Sequence, residues 1–318
     1  MSVSNYEKVI SSIVEMKESK GMGSRAIAKE LGISKSSVNY YYERYMEENN
    51  IVDDMKTGPR VLVLDIETAP VLAHVWRLFK TNVGLNMIDQ DWYMLSFAAK
   101  WFDSDEIIYM DQRNAKNVED DSDMLKVLWE LLDEADIVLH QNGKRFDIPK
   151  IRARMIFHNM KPFSGVKHID TLEIAKRTFG FTSNKLEYMT DTLCSDTKKS
   201  KHAKFPGFEL WKECLAGNME AWQEMEDYNI GDIVSLQELY VKLSPWSDRL
   251  PNFSLYTDSD EFTCVCGGHE FEDSGFAYTE VSKFKQYKCV KCGKHWRGRK
   301  NQITKIKSKL LLTNARES

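Results

Sequence analysis

A short apolar run that ends in two acids constrains the fold of this chain more than any other feature of its sequence. Residues 61–64, Val-Leu-Val-Leu, are continuously apolar, which is typical of a strand that is buried on both faces. Asp65 and Glu67 follow two residues apart, so the alternation of a strand places both carboxylates on one face. Burying two like charges there costs free energy unless a cation compensates them. The pattern predicts a metal site at the carboxyl end of a strand, where open α/β sheets place their ligands.

The rest of residues 61–246 predicts an α/β fold, with a mixed sheet flanked by helices. Strand patterns occur at 93–101, 106–110 and 137–140, and helical patterns at 121–134, 148–157, 172–178 and 208–243. Strands come first and then alternate with helices, which indicates a three-layer domain. The long helical stretch is expected to break near Gly217, and Asp170 is expected to cap the helix that follows it. The polar, Lys-rich stretch 180–205 predicts a loop.

Two further motifs add carboxylates to the first pair. Asp147 lies where a strand has ended and a helix begins, and Tyr228 and Asp232 share one helix face because they are four residues apart. Each motif alone is ambiguous, since Asp147 is equally suited to cap its helix and a Tyr-x-x-x-Asp pair is often structural. Together with Asp65 and Glu67 they supply four carboxylates, which can hold the two divalent ions that phosphodiester hydrolysis needs. The combination predicts a metal-dependent nuclease.

These motifs, in this order, resemble those of the DEDD exonuclease superfamily, which includes the proofreading domains of DNA polymerases and has an RNase H-like fold. The matching residues are Asp65-Ile-Glu67-Thr68, then Asn142 with Phe146-Asp147, then Tyr228-x-x-x-Asp232. The Tyr subclass is indicated, because Asp227 occupies the position where the His subclass carries histidine. One departure is that the spacing from Asn142 to Phe146 is one residue longer than the commonest form. Asn142 is expected to contact the nucleic acid.

The resemblance implies removal of nucleotides in the 3′→5′ direction by a two-metal mechanism with Mg²⁺ or Mn²⁺. Asp65 and Asp232 would hold one ion, which lowers the pKa of the attacking water. Asp65, aided by Glu67 and Asp147, would hold the other ion near the leaving 3′ oxygen. Tyr228 would orient the nucleophile.

Residues 1–50 predict three helices around a small apolar core. The second and third helices resemble the helix-turn-helix of resolvase and homeodomain-like DNA-binding modules, with the small Ala28 at the helix contact and Gly32 at the turn. Ser24 and Ser34 are predicted to cap these two helices. In that family the third helix enters the major groove, and here it would present Lys35, Ser36, Ser37, Asn39, Tyr40 and Arg44. Because the module has no net charge, a structural or protein-binding unit is the alternative.

Cysteine spacing predicts a zinc ribbon toward the end of the chain. Cys264-x-Cys266 is followed by Cys289-x-x-Cys292, and each pair lies beside glycine, as in the knuckles that hold tetrahedral Zn²⁺. The first pair is one residue shorter than the usual form. Four thiolates leave no open position, so the zinc would be structural. The alternatives are a histidine in place of one thiolate, His269 or His295, and disulfide bonds.

Cations and aromatic residues surround these cysteines. The candidate contacts to nucleic acid are Lys283, Lys285, Lys288, Lys291, Lys294, Arg297, Arg299 and Lys300. Phe284, Tyr287 and Trp296 lie among them, and this mixture suits backbone contact and base stacking, although Tyr287 and Trp296 could instead form the ribbon's own core. Residues 281–318 carry 12 Lys and Arg against one acid. This end of the chain would therefore attract a polyanion, whereas residues 51–280 are acidic.

Composition excludes several classes of protein. A hydrophobic content of 42% is enough for a packed core. No apolar run approaches the ~20 residues of a membrane span, and the first residues lack the pattern of a secretory signal. The six cysteines, four of them with metal-ligand spacing, do not make a disulfide scaffold. We expect a reduced, cytoplasmic protein with no membrane partner, located in the cytoplasm of a bacterial host if a phage encodes it.

These patterns divide the 318-residue chain into a helix-turn-helix at 1–50, a linker at 51–60, a nuclease domain at 61–246, a linker at 247–261, a zinc ribbon at 262–300 and a basic tail at 301–318. The predicted function is a 3′–5′ exonuclease that acts on single-stranded or frayed DNA ends with two Mg²⁺ or Mn²⁺ ions and one structural Zn²⁺. Its expected setting is replication, recombination or repair, and chains with this order resemble phage-encoded exonucleases.

Two alternatives stay open at this point. The first is an RNase or a structure-specific endonuclease, because this fold does not decide its substrate. The second is a DNA-binding regulator whose nuclease domain is inactive. The sequence also leaves open RNA as a substrate, a replication or recombination protein as a partner, and the oligomeric state.

Overall fold

The computed structural model describes residues 5–48, 58–195, 204–257 and 260–315. The first described segment contains α1 (Asn5–Val14), a π-helical turn (Glu15–Ser19), α2 (Ser24–Leu31) and α3 (Lys35–Glu48). Ile13, Ile27 and Val38 are fully buried between these helices. The three-helix unit with its own small core is therefore present as predicted.

The turn and one of the two helix caps agree with the sequence prediction. Gly32 ends α2 with a φ of 66°, the left-handed conformation that glycine adopts without strain. The Ser34 hydroxyl accepts a hydrogen bond from the Ser37 backbone N–H at 3.0 Å and so caps α3. The predicted cap at Ser24 is wrong. Ser24 is the first helical residue, and Gly23 precedes it without a capping side chain.

A five-stranded mixed sheet forms the centre of the structure, as predicted. After β1 (Val61–Thr68), the short strands β2 (Leu72–Ala73) and β3 (Ile88–Gln90) pair only with each other. The sheet continues with β4 (Met94–Trp101), β5 (Ile108–Asp111), β6 (Ile137–His140) and β7 (Lys167–Asp170), in the order β5-β4-β1-β6-β7. Strand β4 runs antiparallel to β1, and β6 runs parallel to it. Strand β1 is central and contains both predicted acids.

Helices cover both faces of this sheet. They are α4 (Ser122–Glu134), α5 (Asp147–Phe157), α6 (Thr171–Thr178), α7 (Leu186–Leu193), α8 (Glu209–Leu215) and α9 (Met219–Leu243). Strand β1 separates two cores, because Val63 packs in the layer of Ile233 and Leu236 from α9, whereas Leu64 packs in the layer of Leu128 from α4. The three predicted layers are therefore present.

The long helical stretch breaks where the sequence indicates, but one predicted loop contains a helix. Gly217, with a φ of 81°, separates α8 from α9. Within the stretch 180–205, helix α7 forms instead of a loop, with Met189 buried and Leu186 packed against the same core. The spacing of three residues between Leu186 and Met189 is typical of a helix. The stretch was nevertheless predicted to be a loop because most of its residues are polar. Residues 196–203 lie outside the described chain.

The cysteine-rich unit is a sheet of three strands, β8 (Phe271–Tyr278), β9 (Lys283–Cys289) and β10 (His295–Asn301), followed by the short helix α10 (Lys305–Ser308). The unit is built into the core of the nuclease domain, because Cys264, Val265 and Cys289 are buried in one cluster with Tyr240 and Leu243 of α9. The Tyr240 hydroxyl donates a hydrogen bond to the Val265 carbonyl at 3.4 Å.

Two residues of the ribbon are structural. Lys294 was predicted to contact nucleic acid, and this prediction is wrong. Its side chain is buried, and the ammonium donates to the Ser244 carbonyl at 3.2 Å and to the Ser247 carbonyl. The Trp296 indole N–H donates to the Cys264 sulfur at 3.3 Å, which confirms that Trp296 belongs to the ribbon's core. The burial of Lys294 could not be predicted, because nothing in the sequence distinguishes it from the surface lysines around it.

The helical unit contacts the nuclease domain at one end of the sheet. The Arg25 guanidinium donates to the Ala135 carbonyl at 3.2 Å, and the Lys35 ammonium lies 3.8 Å from the Asp136 carboxylate. Ala135 and Asp136 connect α4 to β6, and the Asp136 backbone N–H donates to the carbonyl of Arg60, just before β1. The helical unit therefore lies at the N-terminal end of the parallel strands β1 and β6.

The ribbon lies at the same end. Tyr240, against which the ribbon packs, makes an edge-on ring contact with Phe102, whose backbone N–H donates to the carbonyl of Val61 at the start of β1. Of the two predicted linkers, residues 51–57 and 258–259 lie outside the described chain. Among the helices that the structure describes, none combines the length and the apolarity that crossing a bilayer requires.

Candidate active site

Asp65 and Glu67 lie in the central strand and face the same side of the sheet. In the register of β1 with β4, Asp65 pairs with Ala98 and Glu67 pairs with Ser96. Ile66, between them, is buried in the core on the opposite side, so both carboxylates face α9. A shift of register by one residue would turn them into the other layer. The packing of the sheet therefore fixes the direction of both acids.

A buried hydrogen-bonded chain holds Asp65. The Asn229 amide on α9 donates to the Asp65 carboxylate at 2.7 Å, and the Ser96 hydroxyl donates to the Asn229 carbonyl oxygen at 3.1 Å. Asn229 and Ser96 are fully buried. Asn229 thus sets the orientation of Asp65, a role that the sequence prediction missed. The available signal was an amide in the buried stripe of a helix, next to Tyr228.

Asp147 joins this group as the first residue of α5, with Phe146 in the cap position before it. Its buried carboxylate accepts a hydrogen bond from the Ile66 backbone N–H at 3.2 Å, which brings it to the strand between Asp65 and Glu67. Burial raises the pKa of Asp147 to about 6. A buried carboxylate of this kind is stabilised by a nearby cation.

Tyr228 and Asp232 complete the group from one face of α9. Asp232 is buried, and Tyr228 packs edge-on against the Trp211 ring, with 6.0 Å between ring centroids. Burial and the negative charges of Asp232, Glu67 and Asp65 raise the pKa of the Tyr228 phenol well above its usual range. The phenol therefore keeps its proton at neutral pH. It is a hydrogen-bond donor that faces three of the four acids.

The turn that contains Asn142 accommodates the extra residue of the second motif. Asn142 has a φ of 63°, its backbone N–H donates to Asp170 at 2.9 Å, and its carbonyl accepts from the Phe146 N–H. A Cβ atom on Gly143 would lie 2.5 Å from the His140 ring, so glycine is required there. Asp170 accepts the first N–H groups of α6, which confirms its predicted role as a cap.

The donor set at β1 fits hard divalent cations. Carboxylate oxygens are the ligands that Mg²⁺ and Mn²⁺ prefer, and four of them approach one strand. In the described chain, only the four cysteines form a group of His, Cys, Asp or Glu ligands whose donor atoms all lie within 4.8 Å of one another. The four carboxylates do not form a group that meets this distance criterion.

An aromatic groove of about 430 Å³ opens one residue beyond Glu67. Its lining consists of Thr68, Ala69, Pro70, Val71, Trp92, Lys150, Phe208 and Trp211. The Lys150 ammonium lies 3.6 Å from the centre of the Trp92 ring, a cation–π contact. Flat apolar walls beside a cation suit a base and its phosphate. The sequence prediction did not identify this groove, because its walls come from separate parts of the chain.

The four predicted zinc ligands come together at the other end of the domain. The sulfurs of Cys264 and Cys292 are 3.6 Å apart, and those of Cys266 and Cys289 are 3.7 Å apart. A tetrahedral Zn²⁺ with bonds of about 2.3 Å spaces its sulfur ligands by roughly 3.8 Å, so the thiol set fits zinc. The alternative histidine ligands have other partners: Thr263 for His269, and Ser274 and Gln286 for His295.

The other predicted nucleic-acid contacts belong to the two accessory units. Exposed residues among them are Ser36, Arg44, Lys291, Arg297, Arg299 and Lys300, whereas Lys35 and Asn39 are half-buried. Both units pack at the N-terminal end of β1, and the acids lie toward its C-terminal end. The structure brings the acids together, but it does not bring these surface residues to them.

The family of the chain follows from the nuclease domain. Residues 82–244 match a family model described as RNase_H superfamily, and this stretch is just over half of the chain. The chain belongs to the RNase H superfamily. The matched residues include Asp147, Tyr228 and Asp232, whereas Asp65 and Glu67 precede them. Membership and the mixed sheet both support a nuclease of this fold.

Solved structures include similar folds. One of 98 matching chains is the family B DNA polymerase from the hyperthermophilic archaeon Pyrobaculum calidifontis, with 15% identity and a TM-score of 0.44. The match covers 59% of this RNase H superfamily chain but only 25% of the polymerase. No curated protein sequence matches the chain.

Proposed function

We propose that this protein is a divalent-metal-dependent nuclease that removes nucleotides from the 3′ ends of single-stranded DNA. The observation that carries the proposal is the grouping of four acids and Tyr228 at one central strand, with an aromatic groove one residue beyond Glu67. Membership of the RNase H superfamily supports hydrolysis of phosphodiester bonds. The 3′→5′ direction rests on the Tyr-subclass motif, and the setting that we propose is DNA replication, recombination or repair.

In this proposal, Asp65, Glu67, Asp147 and Asp232 would hold two Mg²⁺ or Mn²⁺ ions. When bound, such ions supply an activated water and stabilise the charge that develops on the leaving oxygen. The chain contributes a fixed geometry, because the Asn229 amide keeps the Asp65 carboxylate oriented through its 2.7 Å hydrogen bond. Because this carboxylate does not have to reorient during the reaction, the activation free energy is lower.

Tyr228 and the groove would act on the substrate. The protonated phenol of Tyr228 can donate a hydrogen bond to the attacking water or to a phosphate oxygen, and its contact with Trp211 holds it in place. The terminal base would lie in the groove beside Trp92 and Trp211, with the Lys150 ammonium near its phosphate. Stacking on these rings would exclude water from one side of the scissile bond.

A gel time course with DNA labelled at its 5′ end tests the proposal. Asp232→Asn keeps the size of the side chain but removes the charge that would bind metal. We expect wild-type protein with Mg²⁺ or Mn²⁺ to give a ladder that shortens one nucleotide at a time, and the variant to lose at least 100-fold in rate. Asp227→Asn is the matched control, since Asp227 lies exposed on the same helix. An active Asp232→Asn protein would refute the site.

The same assay separates the alternative functions. RNA cleaved in place of DNA would indicate an RNase, and internal cuts in branched DNA would indicate a structure-specific endonuclease. Tight DNA binding without hydrolysis in either metal would favour a regulator with an inactive nuclease domain.

We also propose that Cys264, Cys266, Cys289 and Cys292 hold one structural Zn²⁺. The sulfur spacing fits tetrahedral coordination, and four thiolates leave no position open for a substrate. In the absence of metal, burial raises the pKa of Cys264 to about 11. Zinc binding would therefore displace a proton from this thiol at neutral pH.

A further inference from the structure

The segment between β1 and β4, residues 70–92, carries the most exposed large apolar side chains of the nuclease domain. We call this segment the arm. Trp76 is 98% exposed, Leu78 is 88% exposed, Phe79 is 81% exposed and Leu85 is 87% exposed. A single aromatic side chain offers roughly 150–250 Å², so Trp76 and Phe79 alone offer about 300–500 Å², within the ~300–600 Å² range of the largest apolar patch on a typical monomer. A surface of this size marks a binding site.

The arm presents these side chains from an ordered backbone. Its base is the β2–β3 pair, extended by a hydrogen bond from the His74 N–H to the Met87 carbonyl at 2.9 Å. At its tip, the Arg77 guanidinium donates to the Lys80 carbonyl at 3.1 Å, and the Thr81 hydroxyl donates to the Arg77 carbonyl at 2.8 Å. The turn therefore holds the aromatic side chains in water in a defined arrangement. A ligand would bind them with little loss of backbone entropy.

The charge of the arm favours nucleic acid over protein as this ligand. Residues 71–88 contain no acid, although residues 51–280 as a whole are acidic. Arg77 follows Trp76 directly, and Lys80 follows Phe79 directly. Exposed rings that alternate with cations are typical of surfaces on which unpaired bases stack while the cations contact phosphates. A protein partner would need only the apolar part of this pattern.

The position of the arm connects it to the candidate active site. The arm leaves β1 at Ala69 and Pro70, and returns to the sheet at Trp92. These three residues also line the aromatic groove next to Glu67. A strand whose terminal base occupies the groove would therefore meet the arm next.

We propose that the arm binds unpaired bases of a single nucleic-acid strand, upstream of the phosphate that is cleaved. Trp76 and Phe79 stack on bases, and Arg77 and Lys80 contact phosphates. The inference deepens the proposed function, on which it rests, because the strand that it binds is the substrate. It assigns the preference for unpaired ends to the arm, since bases within a duplex offer no free faces for stacking.

Binding of a fluorescein-labelled 15-nucleotide thymidine strand, measured by anisotropy without added Mg²⁺ or Mn²⁺, tests the arm without hydrolysis. We expect the double variant Trp76→Ala/Phe79→Ala to bind at least tenfold more weakly. The loss of one base stack raises the Kd by about 5- to 150-fold. Asn86→Ala, at an exposed polar position of the same arm, should bind within twofold of wild type. A blunt duplex should show little difference between the three proteins.

The variants should fold normally, because all of these side chains project into water. Unchanged melting temperatures would establish this point. A double variant that melts as wild type does and binds the strand within twofold of wild type would overturn the proposal. This outcome includes the case in which the patch binds a protein instead.

The salt dependence gives a second, independent test. For single strands, the slope of log K against log salt changes by about 0.7 for each phosphate neutralised. Arg77→Ala/Lys80→Ala should therefore reduce the slope by about 1.4. An unchanged slope would overturn the assignment of these two cations to phosphates.

Failure of the arm and failure of the proposed function have different signatures. If wild-type protein with Mg²⁺ or Mn²⁺ degrades the strand but the arm variants bind normally, the arm proposal is wrong and the function stands. If binding depends on the arm but no metal supports hydrolysis, the nuclease proposal is wrong. The arm would then remain a binding element for single strands.

Discussion

At the scale of single residues, Asp147 is a buried carboxylate whose ionisation destabilises the fold. Burial raises its pKa from 3.8 to about 6. The folded state therefore binds this proton more tightly than the unfolded state does. The stability that the folded state gains from this tighter proton binding is fully present below pH 3.8 and is lost as the pH rises through 6. At neutral pH, the metal-free protein carries a penalty on the order of 3 kcal/mol from this group.

Asp147→Asn should remove that penalty, since the amide oxygen can still accept the hydrogen bond from the Ile66 N–H. Without added Mg²⁺ or Mn²⁺, we expect the variant to melt at a higher temperature than wild type at pH 8, and the difference to vanish near pH 4. Thermal melts across this pH range are the measurement. Asp191→Asn, at an exposed position, should show no such trend. A difference that does not depend on pH would contradict the explanation.

The sequence predicted the acids themselves but not the residues that orient them. Asp65, Glu67 and Asp232 are recognisable because carboxylates in strand and helix patterns are unusual near a core. Ser96 has no such signal and Asn229 only that of an amide in a buried helical stripe, since they act through contacts of α9 with β4 and with β1. Such contacts connect residues more than a hundred positions apart, and no local pattern encodes them.

At the scale of elements, long periodic segments were predictable and short ones were not. Strand β1 and helices α4 and α9 extend over enough residues to show their period. Strands β2 and β3 have two and three residues, too few for a pattern, so the arm was missed. Helix α7 was missed because the stretch that contains it, residues 180–205, is mostly polar. Its burial depends on the core that surrounds Met189.

Loss of the proposed zinc site at the two cysteine pairs should destabilise more than the sheet that contains it. Cys264 and Cys289 are buried in one cluster with Tyr240 of α9, and α9 also carries Asp232. Metal-free thiols would leave a cavity for zinc in this shared core. The ribbon and the end of α9 should therefore lose stability together.

Removal of zinc with a strong chelator should lower the melting temperature of the whole chain. For a domain of 150–250 residues, 1 kcal/mol corresponds to about 2–4 °C, so a loss of ~3 kcal/mol would shift the transition by roughly 6–12 °C. Calorimetry with and without chelator measures the shift, and elemental analysis should find one zinc per chain. Cys266→Ser should reproduce the effect, whereas Cys194→Ala should not reduce the zinc content. A chain that is free of zinc as purified and does not respond to chelator would contradict the assignment.

At the scale of the whole molecule, the accessory units and the acids occupy opposite ends of β1. The sequence predicted linkers between these units and the central domain. Instead, Arg25 and Lys35 join the helical unit to Ala135 and Asp136, and buried Lys294 joins the ribbon to the domain. From the start of β1 to Glu67 is roughly 20 Å at 3.3 Å per residue. In the proposed function, the accessory units would therefore hold a different segment of nucleic acid from the one that is cleaved.

This separation predicts that the helix-turn-helix assists cleavage only when the substrate carries a duplex. Asn39 and Arg44 lie on α3, with Arg44 exposed toward its C-terminal end, whereas Lys35 at its start contacts the nuclease domain. Asn39→Ala/Arg44→Ala should therefore raise the KM for a duplex with a long 3′ tail by about tenfold. This is the size of effect that the loss of one or two contacts to the nucleic acid gives. The KM for the same tail without the duplex should stay unchanged, because that strand does not need to reach the helical unit. Steady-state kinetics on the two substrates decide the matter. An equal loss on both would place α3 along the path of the cleaved strand, and no loss on either would make the helical unit structural.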